Sequence, residues 1–220
     1  MKRIKNLEAR RDACGDLLLF LYEENRDFRT AQHERKLLNM AELFGREAPL
    51  HVEIGCGKGG FVCEAAKRNP DINFLAIERN SSVIIEACEK IMENGLTNVR
   101  FLKLTAEYLP KYIPENSIER LYLNFSCPFP KSGYAVHRLT HERFLNIYKP
   151  LLAGGAEIHQ KTDNMHLFEF SIEQFSLCGF KLKDVSLDLH ATDCPDNIET
   201  EYEHRFASLG QPIYSLKAYL

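Results

Sequence analysis

The sequence predicts an α/β fold in which a mostly parallel sheet of seven strands is flanked by helices. From about residue 50 onward, short apolar segments with strand character alternate with segments whose apolar residues recur at helical spacing. This alternation is typical of doubly wound parallel sheets. The chain then ends in two strand-like segments around a short helical one.

Seven strands and five helices are predicted along this part of the chain. The strands are predicted over residues 50–54, 72–78, 99–104, 118–125, 156–162, 180–189 and 212–220. The helices are predicted over residues 60–68, 81–95, 140–152, 165–179 and 200–210. Ser81 and Thr140 begin two of these helices. We expect both to be N-cap residues, because a hydroxyl oxygen can accept a hydrogen bond from a free amide of the first turn.

Length and composition indicate one globular domain over residues 1–220. The chain is 45% hydrophobic and 27% charged, a balance that argues against a disordered chain. We expect residues 49–220 to form the core and residues 1–48 to form an appendage of helices or loops. No apolar run approaches the roughly 18 residues of a membrane span. We expect a cytoplasmic protein, a monomer or homodimer, whose scattered cysteines stay reduced.

The overall charge does not indicate a protein coated with basic residues, since the net charge is −3 and the pI is about 6.3. Basic residues are nevertheless concentrated near the N-terminus, at Lys2, Arg3, Lys5, Arg10, Arg11, Arg26, Arg29, Arg35 and Lys36. Such an arm either meets nucleic-acid phosphates or is an ordinary solvated helix face. Charge alone favours the solvated face.

A glycine-rich turn after the first predicted strand is the strongest local signal for a ligand. Gly55, Gly57 and Gly60 match G-x-G-x-x-G, in which glycines let the backbone approach a ligand closely. Glu78 ends the next strand, where an acid can accept hydrogen bonds from ribose hydroxyls. Glu53 would repel a pyrophosphate but suits the cationic amino-acid end of S-adenosylmethionine. The segment therefore favours a Rossmann-like class I S-adenosylmethionine-dependent methyltransferase over a nicotinamide enzyme or a turn without a ligand.

A second group of unusual segments follows later strands. Residues 124–131 read Asn-Phe-Ser-Cys-Pro-Phe-Pro-Lys and begin where the fourth strand ends. Residues 160–164 follow the fifth strand, and residues 200–205 lie near the C-terminus. Because α/β folds bind ligands at the carboxyl ends of their strands, we expect these segments to contribute to a site.

These segments, in this order behind E-x-G-x-G, resemble the bacterial single-subunit tRNA (guanine-N7)-methyltransferases over the whole chain. That family carries D-P-W-P-K after the fourth strand, T-D after the fifth, and T-x-[YF]-E-x-[RK] followed by G-x-x-[IV] near its end. This chain has Cys127 to Lys131 at the first motif, Thr162-Asp163 at the second, and Thr200 to Arg205 followed by Gly210-x-x-Ile213 at the third.

The resemblance implies a set of cofactor-binding residues: Glu53, Gly55, Gly57, Glu78, Thr105, Ala106, Asn124 and Cys127. Two of them depart from the family. Cys127 stands where the family has an aspartate assigned to cofactor and catalysis. Thr105 stands where the family has the aspartate of a D-A pair near adenine. These departures predict weaker cofactor affinity or a lower rate.

The resemblance further implies methyl transfer from S-adenosylmethionine to guanine N7 in the tRNA variable loop, with Cys127, Asp163 and Glu203 as the catalytic candidates. The substrate-binding candidates are Lys131, Asp163, Thr200, Glu203 and Arg205. Guanine N7 already has a lone pair, so positioning and desolvation supply most of the catalysis. The expected partner is tRNA, and no metal site is expected.

Plainer interpretations of the same residues stay open. Asp163 and Asn164 could simply cap the following helix. Thr200 and Glu203 form a capping box, which needs no ligand, and Lys131 could be an ordinary surface lysine. The whole chain could also be a weakened relative that only binds RNA, or a small-molecule methyltransferase.

Overall fold

The computed structural model describes residues 6–21, 34–191 and 194–220. The chain divides into two compact units, Met1–Tyr112 and Ile113–Leu220. Five basic residues of the predicted N-terminal arm lie outside the described residues: Lys2, Arg3, Lys5, Arg26 and Arg29.

The first unit holds four parallel strands in the order β1-β4-β3-β2. The strands are β1 (Leu18–Phe20), β2 (Leu50–Ile54), β3 (Asn73–Glu78) and β4 (Val99–Lys103). The helices are α1 (Leu7–Ala13), α2 (Met40–Phe44), α3 (Gly60–Arg68), α4 (Ser81–Glu93) and α5 (Leu109–Tyr112), with 3-10 turns at Gly15–Leu17 and Ala106–Tyr108.

Burial explains why β2 and β3 are apolar along their length. All five residues of β2 and five of the six in β3 are buried, as expected for parallel strands covered on both faces. Helix α4 buries Ile84, Ile85, Ala87, Cys88 and Ile91. These residues recur at helical spacing and form a single apolar stripe.

The second unit holds a parallel pair and an antiparallel extension. Strands β5 (Ile118–Asn124) and β6 (Leu152–Thr162) run parallel, whereas β8 (Tyr214–Tyr219) runs antiparallel to both β6 and β7 (Lys181–Ser186). The helices are α6 (Glu142–Tyr148), α7 (Met165–Leu177) and α8 (Glu201–Ala207), with 3-10 segments at Ser132–His137, Lys149–Leu151 and Leu189–Ala191.

The predicted α/β fold with a mostly parallel sheet is confirmed, but the number of strands is not. Eight strands are present in the described residues instead of seven, because the appendage contributes the three-residue strand β1 beside β4. Strand β6 begins at Leu152, four residues before its predicted start at residue 156, and includes Gly154 and Gly155. Within the described ranges, no helix is long and apolar enough to cross a membrane.

Both predicted hydroxyl caps are wrong. Asn80 caps α4, where its Oδ1 accepts a hydrogen bond from the Ser82 amide at 3.1 Å. His141 caps α6, where its Nδ1 accepts from the Arg143 amide at 3.2 Å. Thr140 is buried instead and shares a 2.8 Å hydrogen bond with Ser171. In each helix, the residue adjacent to the predicted cap accepts the hydrogen bond from the first-turn amide instead.

Candidate functional site

The glycine turn of the first unit has the backbone geometry that a ligand cradle needs. Gly55 and Gly57 have φ angles of 81° and 54°, which favour glycine. The Gly55 and Cys56 amides donate to the Ile77 carbonyl at 2.8 and 3.1 Å, so the turn is tied to the end of β3. A Cβ added at Gly55 or Gly57 would meet nothing within 4 Å. These two glycines therefore face open space.

Gly59 is a further position of this turn that requires a glycine. Gly59 has a φ of 74° and is the N-cap of α3, while Gly60 is the first helical residue. A Cβ at Gly59 would lie 2.9 Å from the Cβ of Ala87 in α4. The glycine thus allows α3 and α4 to approach closely.

Two carboxylates lie at the carboxyl ends of neighbouring parallel strands. Glu53 in β2 is only 4% exposed, and Glu78 is the half-buried last residue of β3. The Glu78 carboxylate accepts hydrogen bonds from the Gly57 amide at 3.3 Å and the Asn80 amide at 2.9 Å. These bonds fix the Glu78 carboxylate against the glycine turn.

Thr105 and Ala106 follow β4, the next strand of the same unit. Thr105 is half-buried and extended, and Ala106 is buried where the 3-10 turn begins. The threonine side chain makes no capping hydrogen bond to that turn. Both residues therefore lie at the strand end where the sequence predicted them.

In the second unit, Asn124 ends β5 as a buried residue and the next five residues form a constrained loop. Phe125 and Phe129 have φ angles of 49° and 42°, which are uncommon for bulky residues. The Arg138 guanidinium donates to the carbonyls of Pro128 and Phe129 at 2.9 and 3.0 Å. Cys127 lies between the two strained residues with its side chain exposed.

Asp163 follows β6 and is half-buried. It does not cap the helix α7. Asn164 does, because its Oδ1 accepts from the Leu167 amide at 2.8 Å. Within the described residues, the Asp163 carboxylate makes no hydrogen bond or ion pair. Capping therefore does not account for Asp163.

Glu203 has a different environment, because it is fully buried and both of its oxygens accept hydrogen bonds. Lys161 donates to Oε2 at 2.5 Å, and the Thr200 amide donates to the same oxygen at 3.3 Å. Oε1 contacts the Asn197 amide nitrogen at 2.6 Å and His190 Nε2 at 3.2 Å. The Thr200 hydroxyl accepts from the Glu203 amide at 2.9 Å, which completes the predicted capping box.

The sequence did not single out Lys161, Asn197 or His190 as partners of Glu203. Lys161 is buried at the end of β6 and also donates to Asn197 Oδ1 at 3.0 Å and to the Ile198 carbonyl at 2.8 Å. The signal available in the sequence was a lysine next to the end of a predicted strand. Its partners could not be identified because they are about 40 residues away in sequence.

The remaining predicted site residues of this unit are exposed. Lys131 precedes the 3-10 segment Ser132–His137, and Arg205 lies in α8 with its guanidinium 5.8 Å from the Phe206 ring centroid. Asp163 directly follows β6. The Lys161–Glu203 pair holds Glu203, and with it Thr200, near the same end of that strand. Among the described residues, neither Lys131 nor Arg205 forms a side-chain hydrogen bond or an ion pair with that group of residues.

A comparison with family models gives the class of protein. The model of the family described as "Putative methyltransferase" matches residues 47–216. The 16S rRNA methyltransferase KamB aligns with a TM-score of 0.58 at 16% identity, covering 90% of this chain and 94% of that one. A methyltransferase from Aquifex aeolicus aligns with a TM-score of 0.54 at 15% identity, covering 81% and 86%. The fold is that of Rossmann-like methyltransferases.

Curated relatives define the family more closely. A tRNA (guanine-N7)-methyltransferase of Exiguobacterium is 44% identical over 198 residues, 90% of this chain and 92% of the relative. One from Streptococcus sanguinis is 48% identical over 177 residues, 80% of this chain and 84% of the relative. The chain belongs to the bacterial single-subunit tRNA (guanine-N7)-methyltransferase family, as the motif resemblance predicted.

Proposed function

We propose that this protein transfers a methyl group from S-adenosylmethionine to N7 of a guanine in the variable loop of tRNA. The observation that carries the proposal is the half-buried Asp163 carboxylate. It lies at the carboxyl end of β6 next to the Lys161–Glu203 pair, and capping does not account for it. Family membership and the glycine turn of the first unit support the same function.

The residues of the glycine turn fit the methyl donor. Bound S-adenosylmethionine supplies a methyl group activated by a positively charged sulfur. Gly55 and Gly57 offer open space in which the backbone can approach such a ligand. We propose that Glu78 accepts hydrogen bonds from the ribose hydroxyls and that Glu53 balances the ammonium group.

Four further residues complete the proposed donor site. Thr105 and Ala106 follow β4, where the adenine is expected, while Asn124 and Cys127 belong to the segment at the end of β5. The thiol of Cys127 does not supply the carboxylate of the aspartate that the family motif has at this position. This difference favours slower transfer or weaker donor binding, and not a different reaction.

Guanine recognition is proposed for Asp163 first and Glu203 second. Asp163 can accept hydrogen bonds from the ring N–H and exocyclic amine of guanine. Glu203 already accepts from four donors of its own chain, so contact with the base would require it to exchange one of them. Positive charge moves from sulfur to the purine during transfer, and nearby carboxylates match that change.

The polar residues around this group are proposed to hold the rest of the nucleotide. Exposed Lys131 and Arg205 are suited to phosphate oxygens, and Lys131 contributes as a point charge. Thr200 is buried at the start of α8, and we propose that it steadies the same nucleotide through its backbone and hydroxyl. We also propose that the protein acts on tRNA in the cytoplasm and that it is a monomer or a homodimer.

A weakened, RNA-binding relative is the second candidate function. The exposed Cys127 between two strained phenylalanines favours it, because the family's catalytic aspartate is missing from a loop that is otherwise constrained. This candidate predicts tRNA binding with little or no methyl transfer.

We also propose that residues 1–220 form one methyltransferase domain, with residues 49–220 as its core and residues 1–48 as an appendage. Scanning calorimetry should then show one unfolding transition whose calorimetric and van't Hoff enthalpies agree. Two separate transitions would contradict the single domain.

The experiment that tests the function uses labelled S-adenosylmethionine and an unmodified tRNA transcript under single-turnover conditions. The product is digested and the labelled nucleoside is identified. We expect 7-methylguanosine from the wild type and at least a hundredfold lower rate from Asp163→Asn, by the usual loss for one electrostatic contact in the transition state (about 10²–10³). Intact tRNA binding without any labelled 7-methylguanosine would instead support the weakened relative.

A further inference from the structure

Three aromatic rings form a cluster next to the proposed guanine site. Tyr202 lies one residue before Glu203 in α8, and its ring centroid is 5.8 Å from that of Phe125 and 5.1 Å from that of Phe206. Tyr202 is nevertheless 53% exposed. The cluster therefore supports one side of the tyrosine and leaves much of its surface open to a ligand.

Phe125 is held in place at an energetic cost. Its φ of 49° is in the left-handed region, which costs a bulky residue about 1–3 kcal/mol and persists only where the surroundings enforce it. The Phe125 amide donates to the Lys161 carbonyl at 2.8 Å, and this bond fixes the residue at the edge where β5 and β6 end. Backbone strain of this kind is concentrated at functional sites.

Tyr202 is fixed by its neighbours in the same helix. Thr200 and Glu203 form the capping box of α8, and Glu203 is anchored to Lys161 at the end of β6. Asp163 is two residues beyond Lys161 in sequence. The exposed ring of Tyr202 therefore lies on the anchored first turn of α8. It is at the same edge of the sheet as Asp163, the carboxylate proposed to recognise guanine.

We propose that Tyr202 stacks on the target guanine, with Phe125 as the residue that positions its ring. This inference rests on the proposed function and adds a residue to that site. Base stacking on aromatic rings is the usual way in which proteins hold a nucleobase taken out of its helix. A stacked tyrosine would hold the base parallel to its own ring while the Asp163 carboxylate accepts hydrogen bonds from the edge of the base.

The ring also matches the electronic change in the reaction. The N7 lone pair of guanine forms the new bond to the methyl carbon as the carbon–sulfur bond breaks, and the electron pair of that bond stays on sulfur. The sulfur becomes neutral, the purine gains one positive charge, and no proton moves. Because an aromatic face attracts a cation, Tyr202 should bind the methylated base more tightly than guanine.

The test compares the affinity of 7-methylguanosine monophosphate with that of guanosine monophosphate, in the presence of S-adenosylhomocysteine. The variants are Tyr202→Phe, Tyr202→Leu and Phe125→Gly; the glycine keeps the left-handed backbone and removes the ring. Tyr134→Leu is the matched control, because Tyr134 is a tyrosine of equal exposure, 53%, in the same unit. Thermal unfolding verifies that each variant is folded.

We expect the wild type to prefer the methylated nucleotide, and Tyr202→Phe and Tyr134→Leu to keep that preference. Tyr202→Leu should lose it together with roughly tenfold in affinity for both nucleotides, the loss typical of one stacked base. Phe125→Gly should weaken binding less than Tyr202→Leu does. Equal nucleotide preference in the wild type and in Tyr202→Leu would overturn the inference.

Methyl transfer to tRNA separates this inference from the proposed function. If the wild type forms 7-methylguanosine in tRNA and Tyr202→Leu forms it at the same rate and with the same KM, the stacking role fails while the function stands. If the wild type forms none, the proposed function itself fails.

Discussion

Glu203 is a buried charged residue of the second unit that several partners hold in place. It is fully buried, and its partners come from β6, from the loop before α8 and from the 3-10 segment Leu189–Ala191. Removing one member of a buried charge pair leaves the other charge uncompensated, which is more costly than removing both. The pair thus links the end of β6 to the start of α8.

Lys161→Met should therefore destabilise the protein strongly, by about 3 kcal/mol. The double variant Lys161→Met/Glu203→Gln should recover part of this loss, because no buried charge is then left alone. Urea unfolding of the wild type, both single variants and the double variant measures the coupling. If the two single losses simply add in the double variant, the pair has no energetic role.

Cys127 stands at the position where the motif resemblance leads us to expect an aspartate. Its side chain is exposed in the loop after β5, so an aspartate would not require a charge to be buried. Cys127→Asp should raise either the affinity for S-adenosylhomocysteine or the single-turnover rate, by roughly tenfold for one added charged hydrogen bond. Calorimetric titration and rapid quench measure the two quantities.

Cys127→Asn is the control for that substitution, because it has nearly the same shape without the charge. It should leave both quantities close to those of the wild type. If Cys127→Asp changes neither, the cysteine is not the reason for any reduced activity of this chain.

At the scale of elements, the close approach of α3 and α4 depends on Gly59. An alanine there would need both a left-handed φ and room for a Cβ only 2.9 Å from Ala87. Gly59→Ala should lower the free energy of unfolding by about 3 kcal/mol, combining backbone strain with overpacking. Chemical denaturation followed by circular dichroism measures this loss.

Gly45→Ala separates the two causes. Gly45 has a φ of 70° but nothing within 4 Å of an added Cβ, so its substitution should cost only about 1 kcal/mol of strain. Equal losses at the two glycines would show that the contact with Ala87 contributes nothing.

Strand β6 contains a pair of titratable residues that makes stability depend on pH. Burial lowers the pKa of His159 from 6.5 to about 4, despite its 2.7 Å hydrogen bond to Glu157. Burial alone would raise the pKa of Glu157, but its hydrogen bonds with Lys183 and His159 outweigh that effect and lower it from 4.5 to about 2. Both groups therefore bind protons less readily in the folded protein than when unfolded.

The free energy of unfolding should fall as the pH drops from 6.5 to 4. In this range the unfolded chain binds a proton at His159, whereas the folded chain does not. A further loss from Glu157 follows as the pH drops from 4.5 towards 2. His159→Gln should flatten the first part of this profile, whereas His166→Gln, at a side chain 83% exposed, should not. An unchanged slope in His159→Gln would assign the acid sensitivity to other residues.

At the scale of the whole molecule, the order of strands and helices could be predicted because periodicity is a local property. Strand β2 and helix α3 have the predicted bounds, and most other ends differ by one to three residues. Strand β1 was missed because three residues are too few for a periodic pattern. The start of β6 was missed because two glycines usually end an element, yet here they lie within a strand.

The candidate site was predicted where a motif lies in one segment and was missed where distant segments meet. The glycine turn and the capping box of α8 are local, so the sequence was sufficient to find them. The roles of Lys161 and Phe125 depend on contacts between β5, β6 and α8, which no local pattern encodes. Cap residues were mistaken because Asn80 and His141 compete with the adjacent hydroxyls for the same amides.

The central claim is methyl transfer to N7 of guanine, and one substrate pair tests it most directly. The protein is given labelled S-adenosylmethionine and either an ordinary tRNA transcript or one in which 7-deazaguanosine replaces every guanosine. The two transcripts differ at every guanosine, the reacting one included, in whether position 7 is a nitrogen with a lone pair or a C–H group. We predict transfer to the ordinary transcript and none to the 7-deaza transcript, whereas equal transfer to both would contradict methylation at N7.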